Sequence, residues 1–167
     1  SKKDDKEAAI NRFSAAEKWG LFEKYGTKID ELIKPGGVTV LDISAYTEAS
    51  GSWSIKSLVI GLISKKLLIE RIESRKKEEL SSMESLGTYF VEEKELERPM
   101  VWVVLDEAHE YLPRTTETPA TSALVQLLRE GRQPGISMIL ITQQPGEIHK
   151  DVLTQSDIIL SHRLTAK

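Results

Sequence analysis

Asp106 and Glu107 stand side by side at the end of an unbroken apolar run, Val101-Trp102-Val103-Val104-Leu105. Such a run reads as a buried strand, so the two acids are delivered together to its carboxyl end. Hydrolysis of a nucleoside triphosphate needs a carboxylate to hold Mg²⁺, usually through water. It also needs a second group to orient or deprotonate the attacking water. Asp106 suits the metal and Glu107 the water. A helix cap is the plainer role open to either acid.

A second set of residues follows in chain order. Arg129-Glu130-Gly131-Arg132 closes a helical stretch, and Ile136 to Ile141 is a second apolar run that ends in Thr142-Gln143-Gln144-Pro145. A glutamine at the end of a neighbouring strand can hydrogen-bond a γ-phosphate or the lytic water. Arginines can neutralise charge that grows on a transferred phosphoryl group. The plainer roles are a helix C-terminus stabilised by Arg129 and Arg132, and a turn residue at Gln143. His109 packs or couples beside the acidic pair, and the three histidines do not share metal-ligand spacing.

The elements that must position these groups alternate. Residues 1–36 read as a helical N-terminal segment, divided by Gly20 and Gly26 and ended by Pro35-Gly36-Gly37. Residues 37–167 read as one α/β unit. Val38–Ile43 is predicted as a strand. Ile55, Leu58, Val59, Leu62 and Ile63 mark the apolar face of a long helix that continues through Ile72. The runs from Val101 and Ile136 are strands separated by a helix through Leu124, Leu127 and Leu128. A short helix at His149–Leu153 and a last strand at Asp157–Leu160 complete the series. Residues 81–99 are an acidic insertion, read as a connection or small hairpin. Strand and helix in alternation predict a mainly parallel sheet covered by helices on both faces. Ligands of such sheets bind at the carboxyl edge of the strands. The polar residues that follow the strands are Ser44, the pair Asp106 and Glu107, the trio Thr142 to Gln144, and His162 with Arg163.

Composition bounds the rest. The chain has 167 residues, a formal charge of −3 and no cysteine. Disulfides and thiolate zinc sites are excluded, and no global basic field draws nucleic acid. No apolar run approaches the ~18 residues of a membrane helix. The N-terminus has no signal-peptide h-region. A cytoplasmic protein without a membrane partner is the expectation. The single asparagine and the many Glu, Lys, Ile and Leu residues lean towards a thermophile.

One part of a phosphate site is missing from the sequence. A phosphate-binding loop needs G-x-x-x-x-G-K-[ST], and no Gly-Lys dipeptide occurs. Gly51-Ser52-Trp53-Ser54-Ile55-Lys56-Ser57 imitates it, but Ile55 replaces the glycine and Gly51 is one residue too close to Lys56. The segment reads as a helix start.

Leu105-Asp106-Glu107-Ala108-His109-Glu110-Tyr111-Leu112-Pro113, Arg129-Glu130-Gly131-Arg132, Thr142-Gln143-Gln144-Pro145 and Leu153 to Leu164 together resemble the HerA–FtsK superfamily, and most of all its HerA-type ATPases. The resemblance implies the C-terminal part of a RecA-like P-loop core, with ATP and Mg²⁺ as cofactors and a first strand and phosphate loop lying upstream. It implies Asp106 as the metal carboxylate and Glu107 as the water-activating one. Gln143 is then the phosphate sensor and Arg132, with Arg129 second, the candidate arginine finger. Arg163 falls at the nucleotide edge. It further implies a hexameric double-stranded-DNA translocase of archaeal or bacterial type, working beside a nuclease in DNA-end processing. The same superfamily core also serves conjugation, type IV secretion and genome packaging, and a degenerate, non-catalytic interaction domain is the remaining alternative.

Overall fold

The computed structural model describes residues 2–17, 19–20, 23–44, 52–85 and 98–162. Among the described residues five α-helices and two strands are formed. The helices are α1 (Lys2–Glu17), α2 (Ile29–Leu32), α3 (Ser52–Ser85), α4 (Thr121–Glu130) and α5 (Lys150–Gln155), and the strands are β1 (Val101–Leu105) and β2 (Ile136–Leu140). The strands pair in parallel, with Val101 opposite Ile136 and Leu105 opposite Leu140. A parallel pair needs a crossover, and α4 supplies it.

Alternate residues of each strand face the helices. Val101 and Val103 pack with Ile136, Leu67, Leu68, Leu127 and Ile29. Leu105 and Leu140 pack with Leu112, Leu124, Ile148 and Val152. The opposite face carries Trp102, Val104 and Ile139, all exposed. Helices therefore cover one face of the sheet among the described residues, where the sequence predicts two.

The long helix forms as expected and buries Ile55, Leu67 and Leu68 of its predicted apolar face, but small and polar residues share the buried stripe. Ser57, Gly61, Ser64, Leu68 and Arg71 face inward, whereas Leu62 is exposed. Small residues let α3 approach α4 closely. Ser57 Oγ accepts the Ala120 N–H at 3.0 Å, and a Cβ on Gly61 would meet the Pro119 carbonyl oxygen at 2.7 Å. Arg71 is buried because its charge is answered on several sides. Its Nε donates to Pro134 O at 2.8 Å, its Nη1 to Arg98 O at 2.7 Å, and Glu78 lies at 3.3 Å. Arg71 thus ties α3 to the entry of both strands. Gly135 makes the turn into β2 with φ +83, a conformation that favours glycine.

Two expected strands do not form among the described residues. Val38–Ile43 and Asp157–Leu160 join no ladder, and Val38, Val40, Ile158 and Leu160 are exposed. β-propensity makes a strand only where a neighbour completes the ladder. Neither segment finds one among the described residues. In the N-terminal segment α1 exposes Ile10 and Phe13, while Ile29 of α2 is buried against Leu67 and Leu68. The phosphate-loop imitation runs into α3, where Ile55 and Ser57 are buried, so it is a helix start. Most of the acidic insertion lies outside the described residues, as does Arg163.

Candidate ATPase site at the carboxyl edge

The exits of β1 and β2 are held together by two further backbone bonds. Ile141 N–H donates to Leu105 O at 2.9 Å, and Ala108 N–H donates to Ile141 O at 2.8 Å. Both involve Ile141, so Asp106 and Glu107 are looped out between them. The loop forces Glu107 into the left-handed region, φ 47 and ψ 46. It is the only non-glycine residue there among the described ones. A side chain in that region costs on the order of 1–2 kcal/mol. Asparagine or glycine would fit the backbone better, so a glutamate here stands against the local backbone preference.

Asp106 is exposed and its Oδ1 accepts the Glu107 N–H at 2.9 Å. Gln143 reaches across from the end of β2, and its Nε2 donates to Glu107 Oε1 at 2.8 Å. The Asp106, Glu107 and Gln143 singled out in the sequence therefore meet at one edge. Two neighbours join them. His109, on the 3₁₀ turn Ala108–Glu110, places Nδ1 3.0 Å from Thr142 Oγ1 and 3.4 Å from Glu107 Oε2. Thr142 Oγ1 also accepts the Gln144 N–H at 3.0 Å. Sequence reasoning set His109 beside the acids without giving it a role. The available signal was its place two residues after Glu107, on a turn beside the exit of β2.

The floor of the site is apolar. Tyr111, Leu112 and Ala108 are buried beneath it, and burial, with Glu110 adding to it, raises the Tyr111 phenol pKa above its ordinary value. An antiparallel contact between Pro113 and Ile148 fixes the chain beyond the turn.

The arginines lie elsewhere. Arg129 Nη2 forms an ion pair with Asp151 Oδ2 at 2.5 Å, joining the last turn of α4 to α5. Gly131 O accepts the Ile136 N–H at 2.7 Å, so Arg132 begins at the amino end of β2. That is the opposite end of the strand from Gln143. At ~3.3 Å per residue β2 alone separates the ends by roughly 17 Å. Ser44, also placed at the edge by the sequence, instead donates its backbone N–H to Asp42 Oδ1 at 2.9 Å. The Ser44 hydrogen bonds hold the Asp42 carboxyl below the usual carboxylate range.

Residues 55–166 match the family described as zonular occludens toxin (Zot). The chain belongs to the Zot family. The Zot match is accompanied by similarity to archaeal relatives. The DNA double-strand break repair helicase HerA of Pyrococcus furiosus is 26% identical over 128 residues, 74% of this chain and 23% of the relative. The probable HerA of Methanocaldococcus jannaschii is 31% identical over 108 residues, 59% of this chain and 21% of its own length. HerA of Sulfurisphaera tokodaii is 26% identical over 161 residues, 92% of this chain and 28% of the relative. These matches support a HerA-type P-loop ATPase, and the small parallel sheet with its helices fits a RecA-like P-loop core. The chain spans about a quarter of the length of the curated relatives it matches.

Mg²⁺ fits the donor set at the edge. Asp106 gives one oxygen to the Glu107 N–H and presents the other towards solvent without a partner among the described residues. That suits an ion that keeps several waters and takes one or two protein carboxylates. No group of three potential metal ligands occurs among the described residues. No helix among them is long and apolar enough to cross a membrane.

Proposed function

We propose that this chain is the water-activating half of an ATP-hydrolysing motor of HerA type. The observation that carries the reading is the contact between Gln143 Nε2 and Glu107 Oε1 at 2.8 Å, at the carboxyl edge of a parallel pair. It joins the residue suited to sense the γ-phosphate to the residue suited to activate water. Asp106 would hold Mg²⁺, which would supply charge neutralisation at the phosphates. Glu107 accepts a proton from the attacking water, and Gln143 aligns Glu107 with the phosphate. Residues outside this chain supply the phosphate loop, in keeping with the quarter share of its relatives that the chain spans.

Arg132 then serves a different site from the one beside it. Its place at the amino end of β2 favours action on the nucleotide of a neighbouring subunit. Arg129 supports that surface through Asp151. The similarity to HerA supports the wider reading of a hexameric ring that moves double-stranded DNA in the cytoplasm and works with a nuclease on DNA ends. Arg163, beyond the described residues, is assigned to the nucleotide edge of the same ring.

The direct test is ATP hydrolysis by this chain alone and by the complete ATPase that carries it. The chain alone shows no Mg²⁺-dependent turnover, because its carboxylates have no phosphate cradle. Robust turnover by the chain alone, abolished by Glu107→Gln, overturns the division of the site.

A further inference from the structure

We propose that His109 is a positioning residue for Glu107, fixing the second oxygen of a carboxylate whose first oxygen is fixed by Gln143. The inference rests on the reading of Glu107 as the water-activating base. Glu107 Oε1 accepts from Gln143 Nε2 at 2.8 Å. Glu107 Oε2 is buried and makes no hydrogen bond. His109 Nδ1 lies 3.4 Å from that oxygen. The same nitrogen is 3.0 Å from Thr142 Oγ1. His109 thus closes a ring of contacts through Glu107, His109, Thr142 and Gln143, across the exits of both strands.

A carboxylate held by one donor pivots about that bond, whereas two donors on its two oxygens fix its plane. The need is sharper here because the Glu107 backbone is held in the left-handed region, a setting its own preferences do not select. The imidazole is only 14% exposed, so water competes weakly for Nδ1. A small swing of the ring from Thr142 towards Glu107 gives the unpaired oxygen its donor. An unsatisfied buried polar atom supplies the drive, since leaving it so costs free energy. Nδ1 is the nitrogen placed to act.

The test uses the complete ATPase with steady-state kinetics and ATP affinity. His109→Ala lowers kcat about 10- to 100-fold, as for residues that orient a reacting group, and leaves ATP affinity within about twofold. His109→Asn puts an amide nitrogen near the Nδ1 position and recovers much of the loss. His109→Gln puts it near the Nε2 position and does not. Where His109→Ala fails to fold, the Asn and Gln variants decide alone, with thermal melting run on both. Equal losses in Asn and Gln overturn the proposal, as does wild-type turnover in all variants or a loss confined to affinity. Glu107→Gln is measured in parallel. Wild-type turnover there defeats the functional reading itself, and the role of His109 with it.

Discussion

Glu107 and Asp151 each bury one carboxylate oxygen that makes no hydrogen bond. The two are compensated differently. Asp151 has the Arg129 guanidinium at 2.5 Å, whereas Glu107 has the His109 ring at 3.4 Å. The close charged pair makes Arg129 a structural tie. Removing it by Arg129→Ala leaves a buried carboxylate without its partner, at a cost of about 1–3 kcal/mol. Each kcal/mol lowers Tm by roughly 2–4 °C in a chain of this size. Arg132 is exposed, so Arg132→Ala leaves Tm within the ~0.5 kcal/mol typical of surface changes. Thermal unfolding of both variants checks this. A Tm for Arg129→Ala equal to the wild type contradicts the structural role. The arginines were legible as a pair from their spacing, but their separate duties were not, because the partner of Arg129 lies twenty-two residues away in sequence. The end of the sheet that Arg132 occupies was within reach: a helix that crosses between parallel strands must finish where the second strand starts.

At the scale of elements, α3 decides how closely the helical layer sits. A glycine inside a helix ordinarily costs about 1 kcal/mol relative to alanine. At Gly61 the gain is cancelled, because the added Cβ meets the Pro119 carbonyl at 2.7 Å and the Ala120 Cα at 3.1 Å. Both are backbone atoms and yield little. Gly61→Ala therefore lowers Tm in spite of the better helix former, and Gly61→Val lowers it further, by the ~1–3 kcal/mol of an overpacked contact. A higher Tm for Gly61→Ala contradicts this packing. The helix itself was legible from the recurrence of Ile55, Leu58, Val59, Leu62 and Ile63. The small residues of its inward stripe were not, because Ser57, Gly61 and Ser64 carry no hydrophobic signal; they are buried for their size. The strands from Val101 and Ile136 were legible as continuous apolar runs. Val38–Ile43 and Asp157–Leu160 are likewise rich in Val, Ile and Leu and yet join no ladder among the described residues, since pairing is a property of the neighbour and not of the segment.

For the whole molecule, the uncovered sheet face and the two unpaired segments have one explanation in the proposed account. Trp102, Val104 and Ile139 are exposed on the side away from α3 and α4. The chain spans about a quarter of its relatives. The proposed account assigns the cover of that face, and the phosphate loop, to residues outside this chain. The acidic pair was legible because it follows an unbroken apolar run, and Gln143 because it follows the next strand. The parallel register then brings them within hydrogen-bond distance, which no spacing along the chain states. The most direct measurement is ATP binding and steady-state hydrolysis by the complete ATPase with Glu107→Gln, with and without duplex DNA. Glu107 acts on water and not on the nucleotide, so the variant should bind ATP close to the wild-type affinity. Its turnover should fall by at least about 10²-fold, the low end for a lost general base. Wild-type turnover by Glu107→Gln contradicts the account.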